Sequence, residues 1–428
     1  MTTESAPRTA LVFPGQGSQR PGMGQQLAES FPVAREVYEQ ASRTLGYDVL
    51  AASRDEQGEL ADTTIAQPAI LVHGIASWRA LHEASNGIAD VVAVAGHSLG
   101  EISALVCAGA LDLERAVTLV HRRARLMADT ESGGMSVVFG LPQEEVRRAC
   151  AKVTRTGHVV ALANVNSDEQ TVVSGHHAAL EEVAVLLGEQ GAVVRRLDVG
   201  VAPHSPLMER AVASYTAAVR AAAPVECAVP VVSSIDGHTY RTGPEAVARL
   251  VRQLTDCVSW PAAVAGLLGH RVDVIVELGP KSVLRDLTLS EHPALSVLSC
   301  GDPASVAVAS RFLTSSARRA TTAVVSRRSA EDFLTGCLRL AVGTPSPRRA
   351  EPEEFDRTVR RPYEELRTTL DEVRRQADGT GADVVSGAAQ RLLSLLEAKG
   401  IPADSCRKLV GGLAGTTGVE EEVMACLI

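Results

Sequence analysis

The residues best suited to covalent chemistry are Gly96-His97-Ser98-Leu99-Gly100, a G-x-S-x-G pattern. It directly follows the apolar run Val91-Val92-Ala93-Val94-Ala95 and directly precedes a helical pattern over 99–108. A strand, a sharp turn and a helix are the setting in which such a serine becomes a nucleophile. The turn is too tight for side chains on the flanking residues, hence the two glycines. Its strain lifts the Ser98 hydroxyl above the sheet edge, and the N–H of Leu99 points to where an oxyanion would form, aided by the helix N-terminus. Outside that setting the same five residues would be an ordinary glycine-rich turn.

A serine nucleophile needs a base. The chain has 11 histidines, and a single histidine is more often a surface or satisfied core residue than a catalytic one. His204 is singled out by what precedes it, Val199-Gly-Val-Ala-Pro203, where Pro203 fixes the backbone and so can aim the next side chain.

These elements imply an α/β fold. Ala10–Phe13, stopped by Pro14-Gly15, and Val274–Leu278, stopped by Gly279-Pro280, read as further strands, and 68–84 as a helix. Strands apolar on both faces between helical stretches predict a mostly parallel sheet. Residues 135–197 instead follow the order βαββαβ, that of a ferredoxin-like unit inserted into the core. Strands are predicted at 135–141, 159–163, 170–174 and 192–197, and helices at 143–153 and 177–190. The expected domains are therefore a discontinuous core (1–128 and 198–300), a small subdomain (129–197), and a linker with a helical C-terminal extension (301–428). Within the extension, 301–328 is Ala/Ser/Arg-rich and weakly periodic, and a helix is predicted from Ser329 with Ser329-x-x-Asp332 as its cap. Residues 353–377 and 383–399 are predicted helical as well.

Composition narrows the function further. At 428 residues, 45% hydrophobic and 22% charged, the chain has the make-up of a soluble multidomain protein. A net charge of −9 and 3% aromatics argue against a nucleic-acid protein. Eight scattered cysteines without a CxxC pair suggest free thiols in a cytoplasmic chain, with neither a disulfide scaffold nor a metal site. No run of apolar residues suggests a membrane span, and the N-terminus shows no secretory signal.

From about residue 9 to about residue 300 the chain resembles the malonyl-CoA:acyl-carrier-protein transacylases and the acyltransferase domains of polyketide synthases. Four motifs carry the resemblance in order: Leu11-Val-Phe-Pro-Gly-Gln-Gly-Ser-Gln19, Gly96-His-Ser-Leu-Gly-Glu101, Arg123-Ala-Arg-Leu-Met127 and Ala202-Pro-His-Ser-Pro-Leu-Met208. Asn164-Val-Asn-Ser167 and Glu277-Leu-Gly-Pro-Lys281 are similar to further family segments. The resemblance implies an α/β-hydrolase-like core and a ping-pong transfer. Ser98 is the implied nucleophile, His204 the base, and the N–H groups of Gln16 and Leu99 the oxyanion hole.

Arg123 is the implied clamp for a substrate carboxylate, with Arg122 and Arg125 facing elsewhere on the same helix. Asn166, Ala202, Pro203 and Ser259 are implied pocket or orienting residues. Ser259 occupies the place from which a backbone carbonyl is expected to orient His204, where many bacterial members carry glutamine. Pro203 matches neither the malonyl nor the methylmalonyl pattern of the family, whereas Leu99 leans towards malonyl. The implied substrates are an acyl-CoA, malonyl-CoA first, and an acyl carrier protein or polyketide synthase carrier domain. No separate cofactor is expected, because the phosphopantetheine belongs to the substrates. The alternatives are an acyl-thioester hydrolase of the same fold, against which Arg123 argues, and a non-catalytic docking or scaffold protein, against which the intact motifs argue.

Overall fold

The computed structural model describes residues 7–88, 90–130, 132–314, 324–344, 355–375, 380–419 and 423. It is a mixed α/β structure whose chain divides into two compact units, one running to Leu313 and the other from Thr314.

The first unit holds two sheets. The larger has the order β11-β10-β1-β2-β7-β8. Its strands are β1 (Thr9–Phe13), β2 (Val91–Gly96), β7 (Val231–Val232), β8 (Thr239–Tyr240), β10 (Val274–Leu278) and β11 (Ser296–Cys300). All neighbouring pairs are parallel except β7 and β8. The central strands β1 and β10 are buried along their length because helices cover both faces. Beneath one face, Ala10, Val12, Ala95 and Ile275 pack with Trp260 and Leu267. The helix Thr63–Ala84 is buried over most of its length, from Ala66 to Ser77, which explains why it reads as apolar rather than amphipathic.

The smaller sheet has the order β6-β3-β5-β4-β9, from β3 (Gly134–Phe139), β4 (Val160–Ser167), β5 (Gln170–Gly175), β6 (Val193–Arg196) and β9 (Val258–Ser259). The first four strands pair antiparallel, and helices Gln143–Val153 and His177–Gly188 fall between them in the chain. Val146, Cys150, Val153, Leu180, Val183 and Leu187 from these helices pack on Val138, Leu162 and Val173. The fifth strand, β9, pairs parallel with β4 and comes from much later in the chain.

Two expectations for the C-terminal third are corrected. Residues 303–314 are not linker. They form the helix Pro303–Thr314, started by Asp302, whose carboxylate accepts the Ser305 N–H at 2.9 Å. Val306, Ala309 and Leu313 are buried, and Ser310 Oγ donates to Ala84 O at 2.7 Å. The first compact unit therefore extends past residue 300. The next helix begins at Arg327, not Ser329, because Ser326 is the cap: its hydroxyl accepts from Ser329 N at 3.1 Å.

The second unit contains helices Arg327–Gly343, Arg361–Arg375, Ala382–Ala398 and Ala403–Thr417, with its own core of Phe333, Leu334, Leu366, Leu370, Leu392, Leu396 and Val410. The buried positions recur every three or four residues, as amphipathic helices require. Of the helix predicted over 353–377, residues 353–354 and 376–377 lie outside the described residues.

Candidate active site

Ser98 sits between the last residue of β2 and the helix Gly100–Cys107, with φ at +50°. A left-handed backbone is costly for a side-chain-bearing residue and persists only where the surroundings enforce it. The enforcement is visible in the flanking glycines. A Cβ on Gly96 would lie 1.9 Å from the Gly100 carbonyl carbon, and one on Gly100 would lie 1.9 Å from Phe13 O. Strand end and helix start are thus packed closer than any other residue type allows.

His204 lies on the far side of this turn. Its Nε2 is 2.7 Å from Ser98 Oγ. It too has a positive φ, +58°. Buried Ala202 and Pro203 precede it, and Ser205 Oγ ties the bend by donating to Ala202 O at 2.6 Å. The His204 backbone N–H donates to Leu254 O at 3.0 Å.

The carbonyl that receives His204 Nδ1–H belongs to Gln253, at 2.6 Å, and not to Ser259. The reason is local. Gln253 ends the helix Gly243–Gln253, and the last carbonyls of a helix have no partner within it. Ser259 has other work: its hydroxyl accepts from Ala262 N at 3.3 Å to cap the helix Trp260–Leu268, and its N–H donates to Ser234 O at 2.7 Å.

Burial drives the His204 pKa down to about 3, the nearby Arg123 charge pushes the same way, and the Gln253 carbonyl opposes both. The imidazole is therefore neutral at physiological pH. With Nδ1 holding the proton for Gln253 O, Nε2 is left free to take the Ser98 proton.

Arg123 is 3% exposed, whereas Arg122 and Arg125 on the same helix, Leu113–Ala128, face solvent. Its Nη1 donates to Gln67 Oε1 at 2.7 Å and its Nη2 to Ser98 Oγ at 3.1 Å. Among the described residues it makes no ion pair. Burial lowers its pKa, and the neighbouring Tyr215 hydroxyl partly offsets this. A buried guanidinium is costly unless it is hydrogen-bonded or paired with an anion, and Gln67 and Ser98 supply two of its hydrogen bonds.

Gln67 is fully buried in the apolar helix Thr63–Ala84 and was not singled out in the sequence, although a glutamine within so apolar a run is a signal. Its amide nitrogen donates to Thr63 Oγ1 at 3.0 Å, which turns its oxygen to Arg123.

Gln16 lies in the loop after β1, and its side-chain oxygen accepts from Thr63 Oγ1 at 3.0 Å. Neither its backbone N–H nor that of Leu99 makes a hydrogen bond among the described residues. Asn166 makes no hydrogen bond to Ser98 or His204 among the described residues. It meets His97 instead, Oδ1 to Nε2 at 3.0 Å, and its amide nitrogen donates to Gln170 Oε1 at 2.8 Å. The tertiary structure thus brings Ser98, His204 and Arg123 together directly, and adds Gln67 and Gln253. Among the described residues there is no cluster of three or more His, Cys, Asp or Glu side chains suited to a metal, and no helix is long and apolar enough to cross a membrane.

Comparison with known proteins agrees in extent with the four motifs. The family model described as "Acyl transferase domain" matches residues 10–300. The malonyl CoA-acyl carrier protein transacylase of Haemophilus influenzae is 37% identical over 309 residues, 71% of this chain and 98% of that protein. The Escherichia coli protein of the same name is 36% identical over 308 residues, 70% of this chain and 98% of the relative. Among solved structures, the malonyl CoA-acyl carrier protein transacylase from Coxiella burnetii superposes with a TM-score of 0.69 at 33% identity, covering 73% of this chain and all of that one. A malonyl-transacylase solved in complex with its type II polyketide acyl-carrier protein gives 0.68 at 36% identity, covering 71% and 99%. With a domain match over most of its length and relatives matched almost end to end, this chain belongs to the acyl transferase domain family and is an acyltransferase.

Proposed function

We propose that the protein transfers a malonyl group from CoA to the phosphopantetheine thiol of an acyl carrier protein through an ester on Ser98. The observation that carries this reading is the Arg123 guanidinium, buried without a carboxylate and 3.1 Å from the serine oxygen. A thioester bound with its carbonyl at Ser98 and a second, free carboxylate would bring to Arg123 the anion it lacks, in the two-point geometry a guanidinium favours. An acetyl group would leave it unmatched. The names of the relatives, malonyl CoA-acyl carrier protein transacylases, support the same donor and acceptor.

The steps balance with the groups of the site alone, so no cofactor enters. Ser98 Oγ attacks the thioester carbonyl as its proton passes to His204 Nε2. The N–H groups of Gln16 and Leu99 receive the oxyanion. The C–S bond breaks, and His204 returns the proton to the CoA thiolate. The carrier thiol then gives its proton to His204 and attacks the ester, and Ser98 leaves with the proton restored. Gln253 O stabilises the imidazolium in both halves. Ala202 and Pro203 shape the backbone that presents His204. Asn166 acts on the pocket only through His97.

The same reading assigns the large sheet to an α/β-hydrolase-like core, residues 129–197 to a ferredoxin-like subdomain, and the helices of the second unit to an appendage. It describes a discrete, trans-acting enzyme serving fatty-acid or polyketide synthesis. The test is intact-protein mass spectrometry after mixing with malonyl-CoA and then with a phosphopantetheinylated carrier protein. A malonyl adduct that depends on Ser98 and moves to the carrier is expected. An adduct that decays to free malonate with the carrier unloaded would make the protein a hydrolase instead.

A further inference from the structure

Directly behind the site lies a buried carboxylate that the steps above do not use. Glu101 is fully buried, three residues after Ser98 in the helix that begins at the turn. Its Oε2 accepts from Ser234 N at 3.0 Å, Ser234 Oγ at 2.8 Å and Gln253 Nε2 at 2.9 Å, and its Oε1 accepts from Tyr240 OH at 2.9 Å. Gln253 Nε2 is shared with Ser234 Oγ, at 3.0 Å. Among the described residues no cation pairs with Glu101. A carboxylate placed in a core without a counter-charge is expensive, even with four donors. The question is what the arrangement holds in place.

It holds Gln253 by one end while His204 uses the other. The side-chain amide of Gln253 is tied to Glu101, and its main-chain carbonyl accepts from His204 Nδ1 at 2.6 Å. Gln253 is the last residue of its helix, a position prone to fray. Unpinned, it is a poor support for a carbonyl that has to select one tautomer of the base. Glu101 supplies the pin from the first turn of the helix that begins two residues after the nucleophile. Ser98 and His204 are thereby both referenced to one rigid element.

We propose that Glu101 is a positioning residue for the base, acting through Gln253 to keep His204 Nδ1–H on the Gln253 carbonyl and Nε2 aimed at Ser98. The inference rests on the Ser98–His204 reading above. The role is geometric: Glu101 accepts from the Gln253 amide, and His204 Nδ1–H meets the Gln253 carbonyl, so the link between the two runs through the placement of one residue. An uncharged acceptor of the same shape should therefore serve. In Glu101→Gln the amide oxygen can still accept from Ser234 and Gln253, while the amide nitrogen donates to the Tyr240 oxygen.

The experiment uses the full chain and measures malonyl-CoA acylation by quenched-flow mass spectrometry, together with KM and thermal unfolding. Misplacing a catalytic group by about 1 Å costs on the order of 100-fold. Glu101→Ala should accordingly lower kcat by about 10- to 100-fold at nearly unchanged KM, and Glu101→Gln should restore most of it. Gln253→Met keeps the carbonyl but removes the pinned amide. It should reproduce the defect, and the double variant Glu101→Ala/Gln253→Met should be no slower than the worse single one. The ¹⁵N-histidine spectrum should show the His204 Nδ1–H signal retained in Glu101→Gln and exchange-broadened in Gln253→Met.

A folded Glu101→Ala variant with the parent rate would overturn the proposal, as would multiplicative defects in the double variant. If Glu101→Ala does not fold, Gln253→Met decides alone: a parent rate with a sharp Nδ1–H signal refutes the role. His204→Ala separates the two levels. Parent activity there would remove the Ser–His reading itself, whereas a dead His204→Ala beside a fully active Glu101→Ala would remove only this inference.

Discussion

Replacing Arg123 by alanine tests the substrate assignment most directly. The guanidinium is 3% exposed, its Nη1 is engaged by Gln67 and its Nη2 reaches the nucleophile. On the proposed reading, a malonyl carboxylate entering this space in the parent would form a buried, charge-assisted pair. In Arg123→Ala the same carboxylate is still stripped of water but finds no cation. Breaking one side of a buried pair costs about 3–5 kcal/mol. At about 1.4 kcal/mol per decade that predicts a fall of about 10²- to 4 × 10³-fold in kcat/KM for malonyl-CoA. Acetyl-CoA brings no carboxylate, so its transfer should change by less than about threefold and should rise relative to malonyl transfer. The assay is the rate of acyl-enzyme formation from each CoA, followed by intact mass, with circular dichroism to establish that the variant is folded. A folded variant that loses both acyl groups equally would refute the clamp and leave Arg123 as a partner of Ser98 only.

Other expectations follow from the same geometry. Ser98→Ala should give no acyl adduct from any CoA, whereas His204→Gln should slow acylation by about 10³-fold or more while leaving weak turnover from the oxyanion donors; equal activity in either would dismiss the assigned chemistry. Gly100→Ala would press a methyl carbon against Phe13 O, and should destabilise the protein by about 3 kcal/mol, read as a lowered urea midpoint. His73 and His204 are both buried with pKa values lowered to about 3 from 6.5. The unfolded chain therefore binds protons that the folded one refuses. Stability should be unaffected by these groups above pH 6.5 and fall as pH drops from there towards 3, with a slope approaching about 1.4 kcal/mol per pH unit for each histidine. Urea titrations of His204→Gln should show about half the slope due to the pair; an unchanged slope would mean that His204 is not buried neutral. Finally, a chain ending at residue 314 should keep acyl transfer, because the first unit has its own core. One ending at residue 300 should be markedly less stable, since it loses the helix that buries Val306, Ala309 and Leu313; equal melting temperatures would argue against that packing.

The sequence by itself determined the sharp turn that carries Ser98. Gly96 and Gly100 around Ser98, between an apolar strand and a helical pattern, encode a turn that only one local conformation satisfies, and the structure shows that conformation. It also marked His204 through the residues before it, and Arg123 by its place in a family motif. These signals are legible because each lies within a few consecutive residues.

What only the tertiary structure decided is how distant pieces meet. The carbonyl on His204 Nδ1 comes from Gln253 rather than Ser259, and every residue carries the same carbonyl, so no side-chain pattern announces which one is left free at a helix end. Gln67 reads as one more residue of an apolar helix until Arg123 is seen 2.7 Å away. Glu101 reads as the close of a motif until Ser234, Tyr240 and Gln253 are found converging on it from 133 or more residues along the chain. The helix start at Ser326 and the helix Pro303–Thr314 were hidden for a related reason: several serines could cap, and a short weakly periodic stretch becomes a helix once the core beneath it buries one face. Local chemistry is written in neighbouring residues, whereas the partners that orient it depend on contacts whose sequence separation is set by the fold.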